Sequence, residues 1–395
     1  MRIRFYISIW TVSLTVILGS CNQSSFDKES FLNDILIIKY DSLEMPVDST
    51  ISAVGNYNHV YQKDAKGESY LVVSNLNNEL VYFNLDRRKI VKRIKFQQEG
   101  PHGIGYIGNF NFYSEDTIVL KGLNPLETYS LNTGAKKIST FSTSKFAGFQ
   151  AREILGQPTT SISIYDQYVI QFTQALLLRD LSSNRKYFDL NSKAFALLDL
   201  TNGEYTFLPI KFPITMHDKK EFWDLFHITP SSAIIQDKFY YTFPGSDSLY
   251  FYNINTKQVK QVSAPSIHSV HGNGVVVRKF TSLEEYFDVY AQNMSYVKIL
   301  ADGNNNRIIR FIAHPTKKWK NSGNLNDVLI SKPFSIQIFD SDLNLLGETD
   351  VFFDNLYDFL DSFVGEKGLY ISNNHPENAK IDERFLSYSI FKIGK

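Results

Sequence analysis

One short motif recurs along this chain and restricts its fold more than any other feature. An apolar, usually aromatic residue is followed by a small polar residue and then usually by Leu or Ile. Six copies end strand-like segments: Phe83-Asn84-Leu85, Tyr129-Ser130-Leu131, Leu198-Asp199-Leu200, Tyr252-Asn253-Ile254, Phe339-Asp340-Ser341 and Tyr388-Ser389-Ile390. After each of the first five copies come a polar turn and another strand-like segment. The motif therefore predicts a β-hairpin that is repeated along the chain.

Further strand-like segments precede each hairpin. Directly upstream of each hairpin is one strand, such as residues 239–241 before the fourth motif copy. A fainter strand precedes that one in each unit, such as residues 106–113 in the second unit. Repeated units of four strands are typical of β-propeller blades, because stacking blades around an axis buries both faces of each sheet. The last unit lacks its outermost strand, which residues 34–39 can supply. We predict an all-β fold, a β-propeller of six blades over residues 34–395, closed by this N-terminal strand.

Composition supports a sheet fold and leaves two alternatives. Aromatic residues make up 14% of the chain, and such residues favour pleated, half-buried surfaces. The long interval between the fourth and fifth motif copies leaves room for a degenerate seventh blade. A β-sandwich or two smaller β domains would also contain many short strands, but these strands would not recur as fourfold units.

The N-terminus carries an export signal. Arg2 and Arg4 precede an apolar run over residues 7–18, which suits a signal-peptide core and is short for a membrane-spanning helix of about 20 residues. Leu18-Gly19-Ser20-Cys21 resembles the lipobox of bacterial lipoproteins. The resemblance implies a signal peptide over residues 1–20, cleavage before Cys21 and multiple acylation of the Cys21 thiol. The alternative is a plain signal peptide followed by an incidental cysteine.

The resemblance to the lipobox also predicts where the protein resides. Residues 21–33 would form the lipid anchor and a polar tether, and several acyl chains hold a protein firmly to a bilayer. We expect a cell-envelope protein of the outer membrane, facing either the periplasm or the surface. A single cysteine allows no internal disulfide. With 41 basic and 41 acidic residues and no basic stripe, a nucleic-acid partner is not expected.

A family resemblance adds to this interpretation. The lipobox, the tether and the Phe- and Tyr-rich propeller pattern are together similar to propeller lipoproteins of the Bacteroides group, some of them TolB-like and six-bladed. The segment Glu99-Gly100-Pro101-His102-Gly103 resembles the Gly-Pro turn that these proteins often carry between blades. The resemblance implies exposure in the periplasm or at the surface and a binding role. It transfers no catalytic residue, because many members have no known activity.

Two motifs that resemble cofactor or metal sites lack the context that such sites need. Residues 103–108 match G-x-G-x-x-G, but a strand-like segment follows instead of the helix that a dinucleotide site requires. His268 and His271 lie three residues apart in a glycine-containing loop, and no third ligand is near them in sequence. We therefore predict neither a cofactor nor a metal.

Histidines concentrate on one predicted face. In a propeller, the connections from the second to the third strand and from the fourth strand to the next blade share a face, here named the long-loop face. All eight histidines map to these connections or their margins: His59, His102, His217, His227, His268, His271, His314 and His375. We predict a binding surface there, with candidates His102, Arg152, Trp223, His227, His268 and His271. The alternative is that longer loops simply collect every residue type.

Two functions follow from these patterns, and a structural subunit of an envelope assembly, which a large exposed apolar patch would favour, is a third alternative. The first is a binding propeller that engages a protein or a glycan through the long-loop face. The second is a hydrolase or lyase that acts on an extracellular polymer from the same face, with carboxylates or histidine as acid and base. Two or three acids with a histidine at the channel mouth would favour the enzyme. An aromatic surface without such a cluster would favour binding.

A helix is also predicted within residues 280–294, with Thr281 or Ser282 as its N-cap.

Overall fold

The protein forms six four-stranded antiparallel sheets arranged as the blades of a propeller. The computed structural model describes residues 36–55, 58–122, 127–142, 162–172, 193–213, 229–269, 282–317, 325–353 and 355–394. In five blades the strands follow one another in sequence order, and in the sixth the N-terminal strand is outermost. The innermost strand of each blade contacts the innermost strands of the adjacent blades around the axis. The predicted six-bladed propeller is therefore confirmed.

The first three blades have the following strands, each given from the axis outward. Blade 1 has β2 (His59–Lys63), β3 (Ser69–Ser74), β4 (Glu79–Asn84) and β5 (Lys89–Lys95). Blade 2 has β6 (Ile107–Ser114), β7 (Thr117–Gly122), β8 (Glu127–Asn132) and β9 (Lys137–Ser142). Blade 3 has β10 (Ser163–Tyr165), β11 (Tyr168–Phe172), β12 (Phe195–Asp199) and β13 (Tyr205–Phe207).

The remaining three blades include the blade that closes the ring. Blade 4 has β14 (Ser231–Ile235), β15 (Lys238–Thr242), β16 (Ser248–Asn253) and β17 (Val259–Ser263). Blade 5 has β18 (Ser295–Asp302), β19 (Arg307–Ala313), β20 (Phe334–Asp340) and β21 (Leu345–Glu348). Blade 6 has β22 (Asp358–Gly365), β23 (Gly368–Ser372), β24 (Phe385–Gly394) and, outermost, β1 (Leu36–Pro46).

Strand β1 closes the ring without a covalent bond. It pairs antiparallel with β24, from Leu36 opposite Gly394 to Pro46 opposite Phe385. It runs beyond the predicted residues 34–39 because a bulge between Lys39 and Asp41 interrupts the alternation that marks a strand in sequence. Leu36 lies on the face of the short turns, and Pro46 lies on the long-loop face.

The repeated motif has a physical basis at each of its first two positions. Its first residue is buried between blades in all six copies. In four copies the small polar residue accepts a hydrogen bond from a backbone N–H of the following turn. The donors are Arg87 to Asn84 at 2.8 Å, Thr201 to Asp199 at 2.8 Å, Thr256 to Asn253 at 2.8 Å and Asp342 to Asp340 at 2.9 Å. The motif thus fixes both the core-facing register and the turn.

The hydrophobic core is divided among the blade interfaces. Each of the six buried clusters combines residues from two adjacent blades, as where Phe195 of blade 3 meets Phe239 of blade 4 with ring centroids 5.0 Å apart. Full burial of such a side chain contributes about 1.5–3 kcal/mol. Contacts between blades, which form between residues distant in sequence, therefore supply the stability that a protein without disulfides needs.

In the described part of the interval that left room for a seventh blade, the structure has two helices. Helix α1 (Leu283–Gln292) has Ser282 as its N-cap, whose hydroxyl accepts from the Glu285 N–H at 3.1 Å, so the predicted helix is confirmed. Helix α2 (Leu325–Ile330) packs with α1 on the core between blades 5 and 6, through Phe287 and Val328. Among the described residues, no helix has both the length and the hydropathy needed to cross a membrane.

Candidate functional site

The structure describes two of the predicted binding residues. His102 is exposed in the connection from blade 1 to blade 2, and His268 is half-buried in the connection from blade 4 to blade 5. Cys21, Arg152, Trp223, His227 and His271 lie outside the described residues. The described parts of the long connections lie on one face, as predicted. The opposite face carries only short turns within the same ranges, such as residues 85–88 and 341–344.

The loop that carries His102 is held by one buried side chain. Asn78 is buried, and its amide nitrogen donates to Gly105 O at 2.8 Å and to Phe96 O at 3.3 Å. Its side-chain oxygen accepts from the Ile107 N–H at 2.9 Å. Asn78 has φ 64°, a left-handed conformation that Asn tolerates better than most residues. Both ends of the loop, at the start of the connection and at the start of β6, are therefore fixed to blade 1.

Glycine allows this loop to fold tightly. A Cβ on Gly103 would lie 2.6 Å from the backbone carbon of Glu99, closer than real atoms approach. The Gly103 N–H donates to Gly100 O at 2.9 Å, and the Ile104 N–H donates to Gln97 O at 3.0 Å. The G-x-G-x-x-G match is thus part of an inter-blade turn that leads into strand β6, as predicted, and no helix follows it.

An open groove lies beside this loop, on the long-loop face. We name it the blade 1–2 groove, and its volume is about 730 Å³. Its lining includes Leu76, Asn77, Lys95, Gln97, Gln98 and Tyr106. Leu76 is 94% exposed and Tyr106 is 53% exposed. The groove therefore offers apolar surface and amide groups to solvent, on a loop whose ends are fixed.

A second apolar side chain projects from the same face. Phe353, in the connection from blade 5 to blade 6, is 76% exposed, and Leu356 in the same connection is partly exposed. Leu76 and Phe353 have the highest exposure among the large apolar side chains of the described residues, and both lie on the long-loop face. Five others of that class lie on the outermost strands: Ile38, Tyr40, Val91, Ile138 and Val259.

A buried polar network supports the His268 connection between blades 4 and 5. The Glu348 carboxylate accepts from Ser266 Oγ at 2.6 Å and from the Ile267 N–H at 3.1 Å. On the other side it accepts from Ser335 Oγ at 2.7 Å and from Gln337 Nε2 at 2.8 Å. Four donors satisfy both oxygens of this buried group, as burial of a charge requires. Glu348 therefore attaches the connection to blade 5.

His268 and His314 complete this network. His268 Nε2 donates to Thr349 O at 2.8 Å, and the two imidazole rings meet edge to face at 5.7 Å. His314 Nε2 lies 2.8 Å from Ser335 Oγ, and because the single hydroxyl proton is used on Glu348, the imidazole is the donor. Burial lowers the pKa of His314 to about 4, with further contributions from His268 and Lys332. Both histidines are thus engaged in holding the loop.

Charged side chains also gather near the axis, at the start of the inner strands. Asp361 Oδ1 accepts from Tyr388 OH at 2.9 Å and lies 3.4 Å from His59 Nδ1. The Lys298 ammonium donates to Ser362 O at 2.8 Å and to Leu360 O. Bulges in β18 and in β22 accompany this cluster, between Tyr296 and Lys298 and between Asp358 and Ser362. The axial cluster joins blades 5, 6 and 1, where the ring closes.

Burial governs the protonation of the axial cluster. It raises the pKa of Asp361 and lowers the pKa of Lys298, and each group partly opposes the shift of the other by its charge. The side chains of His59 and Asp361 are 4% and 1% exposed. An enzyme was expected to bring two or three acids and a histidine to the channel mouth. The described contacts bring one acid, Asp361, to His59, and these groups face one another and the backbone of blade 6. Within the described ranges, no group of three His, Cys, Asp or Glu side chains could hold a metal ion.

Several residues that organise these sites were not predictable from the sequence. Asn78, Glu348, Lys298 and Leu76 belong to no recognised motif. The polar turn at Asn75 to Asn78 is the only sequence signal that points to the groove, because Asn residues favour turns and left-handed conformations. The burial of Lys298 and Glu348 depends on contacts between blades.

Fold and site together define a six-bladed propeller with an elaborated long-loop face. The sequence matches the model of a domain of unknown function, DUF4221, over residues 34–350, so the chain belongs to the DUF4221 family. It is similar to the crystal structure of a DUF4221 member from Bacteroides vulgatus ATCC 8482, with 23% identity, a TM-score of 0.76, and coverage of 92% of this chain and 99% of the other. The resemblance to largely uncharacterised Bacteroides propellers is thereby confirmed.

A second solved structure shares the fold at lower similarity. A candidate exported protein of Bacteroides fragilis NCTC 9343 matches with 11% identity and a TM-score of 0.51, and the match covers 93% of this chain and 98% of the other. No curated protein matches the sequence.

Proposed function

We propose that this protein is an exported, lipid-anchored protein of the cell envelope that binds a protein or glycan partner through its long-loop face. The observation that carries the proposal is the exposure of Leu76 and Phe353 on that face. Both belong to connections of a rigid scaffold, which is where proteins commonly place binding residues. Large apolar side chains at such positions gain free energy when a partner removes them from water.

The anchor follows from the resemblance of residues 18–21 to a lipobox, and the Bacteroides fragilis relative named above is itself a candidate exported protein. We expect Cys21 to incorporate radiolabelled palmitate and the protein to partition into detergent. In a Cys21→Ser variant both properties should be lost while the propeller stays folded. Label retained in Cys21→Ser would contradict the anchor.

The binding proposal is tested by pull-down from native membranes. A Leu76→Ala/Phe353→Ala variant should lose at least one partner that the wild type retains. His102→Ala tests the same face, and Trp223→Ala tests a residue that the sequence predicts for it. The matched control is Ile138→Ala/Val259→Ala, which removes exposed apolar side chains from outer strands β9 and β17. Equal recovery by the long-loop variant, or loss only in the control, would contradict the assignment of this face.

The alternative of a polymer-acting hydrolase or lyase would draw on the axial cluster. Asp361 and His59 lie 3.4 Å apart and contact Tyr388 and Ser362 of blade 6, Lys298 donates to backbone carbonyls of blade 6, and the side chains of Asp361 and His59 are almost inaccessible. The proposal therefore rests on the long-loop face and assigns the axial cluster to the closure of the ring. Cleavage of a polysaccharide by the wild type, lost in His59→Gln with folding retained, would support the enzyme instead.

A further inference from the structure

The lining of the blade 1–2 groove has a chemical character of its own. It presents one exposed aromatic ring, Tyr106, next to three exposed amide side chains, Asn77, Gln97 and Gln98. Among the described residues, no ring or cation contact engages Tyr106. A sugar ring has an apolar C–H face and a rim of hydroxyls, so it can stack on an aromatic ring while amides pair with the hydroxyls. The lining provides both kinds of group.

The size and the rigidity of the groove fit the same ligand. A volume of about 730 Å³ lies within the range of small-ligand sites and suits a few sugar units. Asn78 fixes the backbone on both sides of Tyr106, through Gly105 O and the Ile107 N–H. A platform that is already ordered loses little conformational entropy when a ligand binds. The arrangement is therefore preorganised for a flat contact.

The charge of the groove selects among sugars. Lys95 is its single charged lining side chain, and within the described part of the chain it makes no ion pair. Its cross-strand neighbour Glu79 is instead paired with Arg93, at 3.0 Å between Nη1 and Oε2. Arg93 also contacts Asp48. Glu79 is thus already paired, and the Lys95 ammonium is available to an acidic ligand.

From these contacts we infer that the blade 1–2 groove binds an acidic oligosaccharide, with Tyr106 stacking on a sugar ring and Lys95 pairing with a carboxylate or sulfate. This inference rests on the proposed function and names the ligand class for one part of the long-loop face. Asn77, Gln97 and Gln98 pair with hydroxyls of the bound chain. Leu76, at the edge of the groove, covers the apolar side of a neighbouring sugar unit.

The test uses the lipidated protein in detergent on an array of printed oligosaccharides, some neutral and some carrying uronate or sulfate. We expect binding to at least one acidic oligosaccharide, weakened by added salt. Titration with that oligosaccharide should show about tenfold weaker binding for Tyr106→Ala, because the stacking platform is lost. Lys95→Gln should weaken binding about threefold and reduce its salt dependence.

Matched controls lie at the opposite face, on strand β6, which follows Tyr106, and on strand β5, which carries Lys95. Tyr113→Ala removes an exposed tyrosine from the far end of β6, and Lys89→Gln removes an exposed lysine from the far end of β5. Both should bind like the wild type. Tyr106→Phe keeps the ring and should retain most of the affinity, which separates stacking from folding defects.

Three outcomes would overturn the inference: no oligosaccharide bound, only neutral ones bound, or an acidic one bound equally by Tyr106→Ala. The pull-down with Leu76→Ala/Phe353→Ala distinguishes this failure from failure of the proposed function. A protein partner lost in that variant, together with an empty array, would leave the long-loop face as a protein-binding surface. No partner lost in the variant and no glycan bound would remove both proposals.

Discussion

At the scale of single residues, this protein uses buried polar side chains to shape loops. Asn78 satisfies three backbone groups of one connection, and Glu348 accepts four hydrogen bonds, two of which attach another connection to blade 5. Removing one partner of such a buried group leaves the others unsatisfied, at a cost of about 1–3 kcal/mol each. The surface is therefore supported by a polar framework as well as by apolar packing.

His314 gives stability a specific dependence on pH. Its pKa is about 4 in the folded protein and about 6.5 in an unfolded chain, so between these values the unfolded state binds more protons. Stability should then fall as pH drops from 6.5 to 4, with a His314 contribution of up to about 1.4 kcal/mol per pH unit. Urea unfolding at several pH values measures the slope.

Substitution isolates this contribution. His314→Gln should flatten the slope between pH 6.5 and 4, whereas His102→Gln, at an exposed position, should leave it unchanged. Equal slopes for His314→Gln and the wild type would show that protonation of this buried imidazole does not limit acid stability.

At the scale of strands and turns, the hairpin motif carries most of the information. The Asp340 carboxylate accepts from the N–H groups of Asp342 and Asn344, both at 2.9 Å. Asp340→Ala should therefore lower the free energy of unfolding by about 1–2 kcal/mol, because the turn between β20 and β21 loses its cap. Asp350→Ala, at an exposed loop position, is the control. A loss below about 0.5 kcal/mol would mean that the strands hold this turn unaided.

The blades were predictable from the sequence because strand alternation and turn chemistry are local. The buried polar contacts were not predictable, because they join positions that are distant in sequence: His59 contacts Asp361, and Ser266 donates to Glu348. Nothing near Lys298 in the sequence distinguishes it from a solvated lysine. The placement of His268 and His314 on the long-loop face was predicted from the sequence, but the network that holds them became visible only in the fold.

At the scale of the whole molecule, the stability of the propeller depends on the interface between blades 6 and 1, where the ring closes. Met45 of β1 is fully buried in the core between blades 6 and 1, while its neighbour Glu44 is exposed. Met45→Ala should lower the free energy of unfolding by about 2–5 kcal/mol and lower the melting temperature, because it leaves a cavity at this interface. Glu44→Ala should have little effect. Equal melting temperatures for the two variants would indicate that the ring tolerates weakening of this interface.

The direction of β1 also sets how the molecule would stand on a membrane. The strand enters the ring at Leu36 on the short-turn face and leaves it at Pro46 on the long-loop face. With lipid on Cys21 as proposed, the tether from the bilayer joins the propeller at its short-turn face. The fourteen residues between Cys21 and Leu36 span at most about 50 Å. The long-loop face would then point away from the bilayer and be accessible to a partner in the surrounding solution.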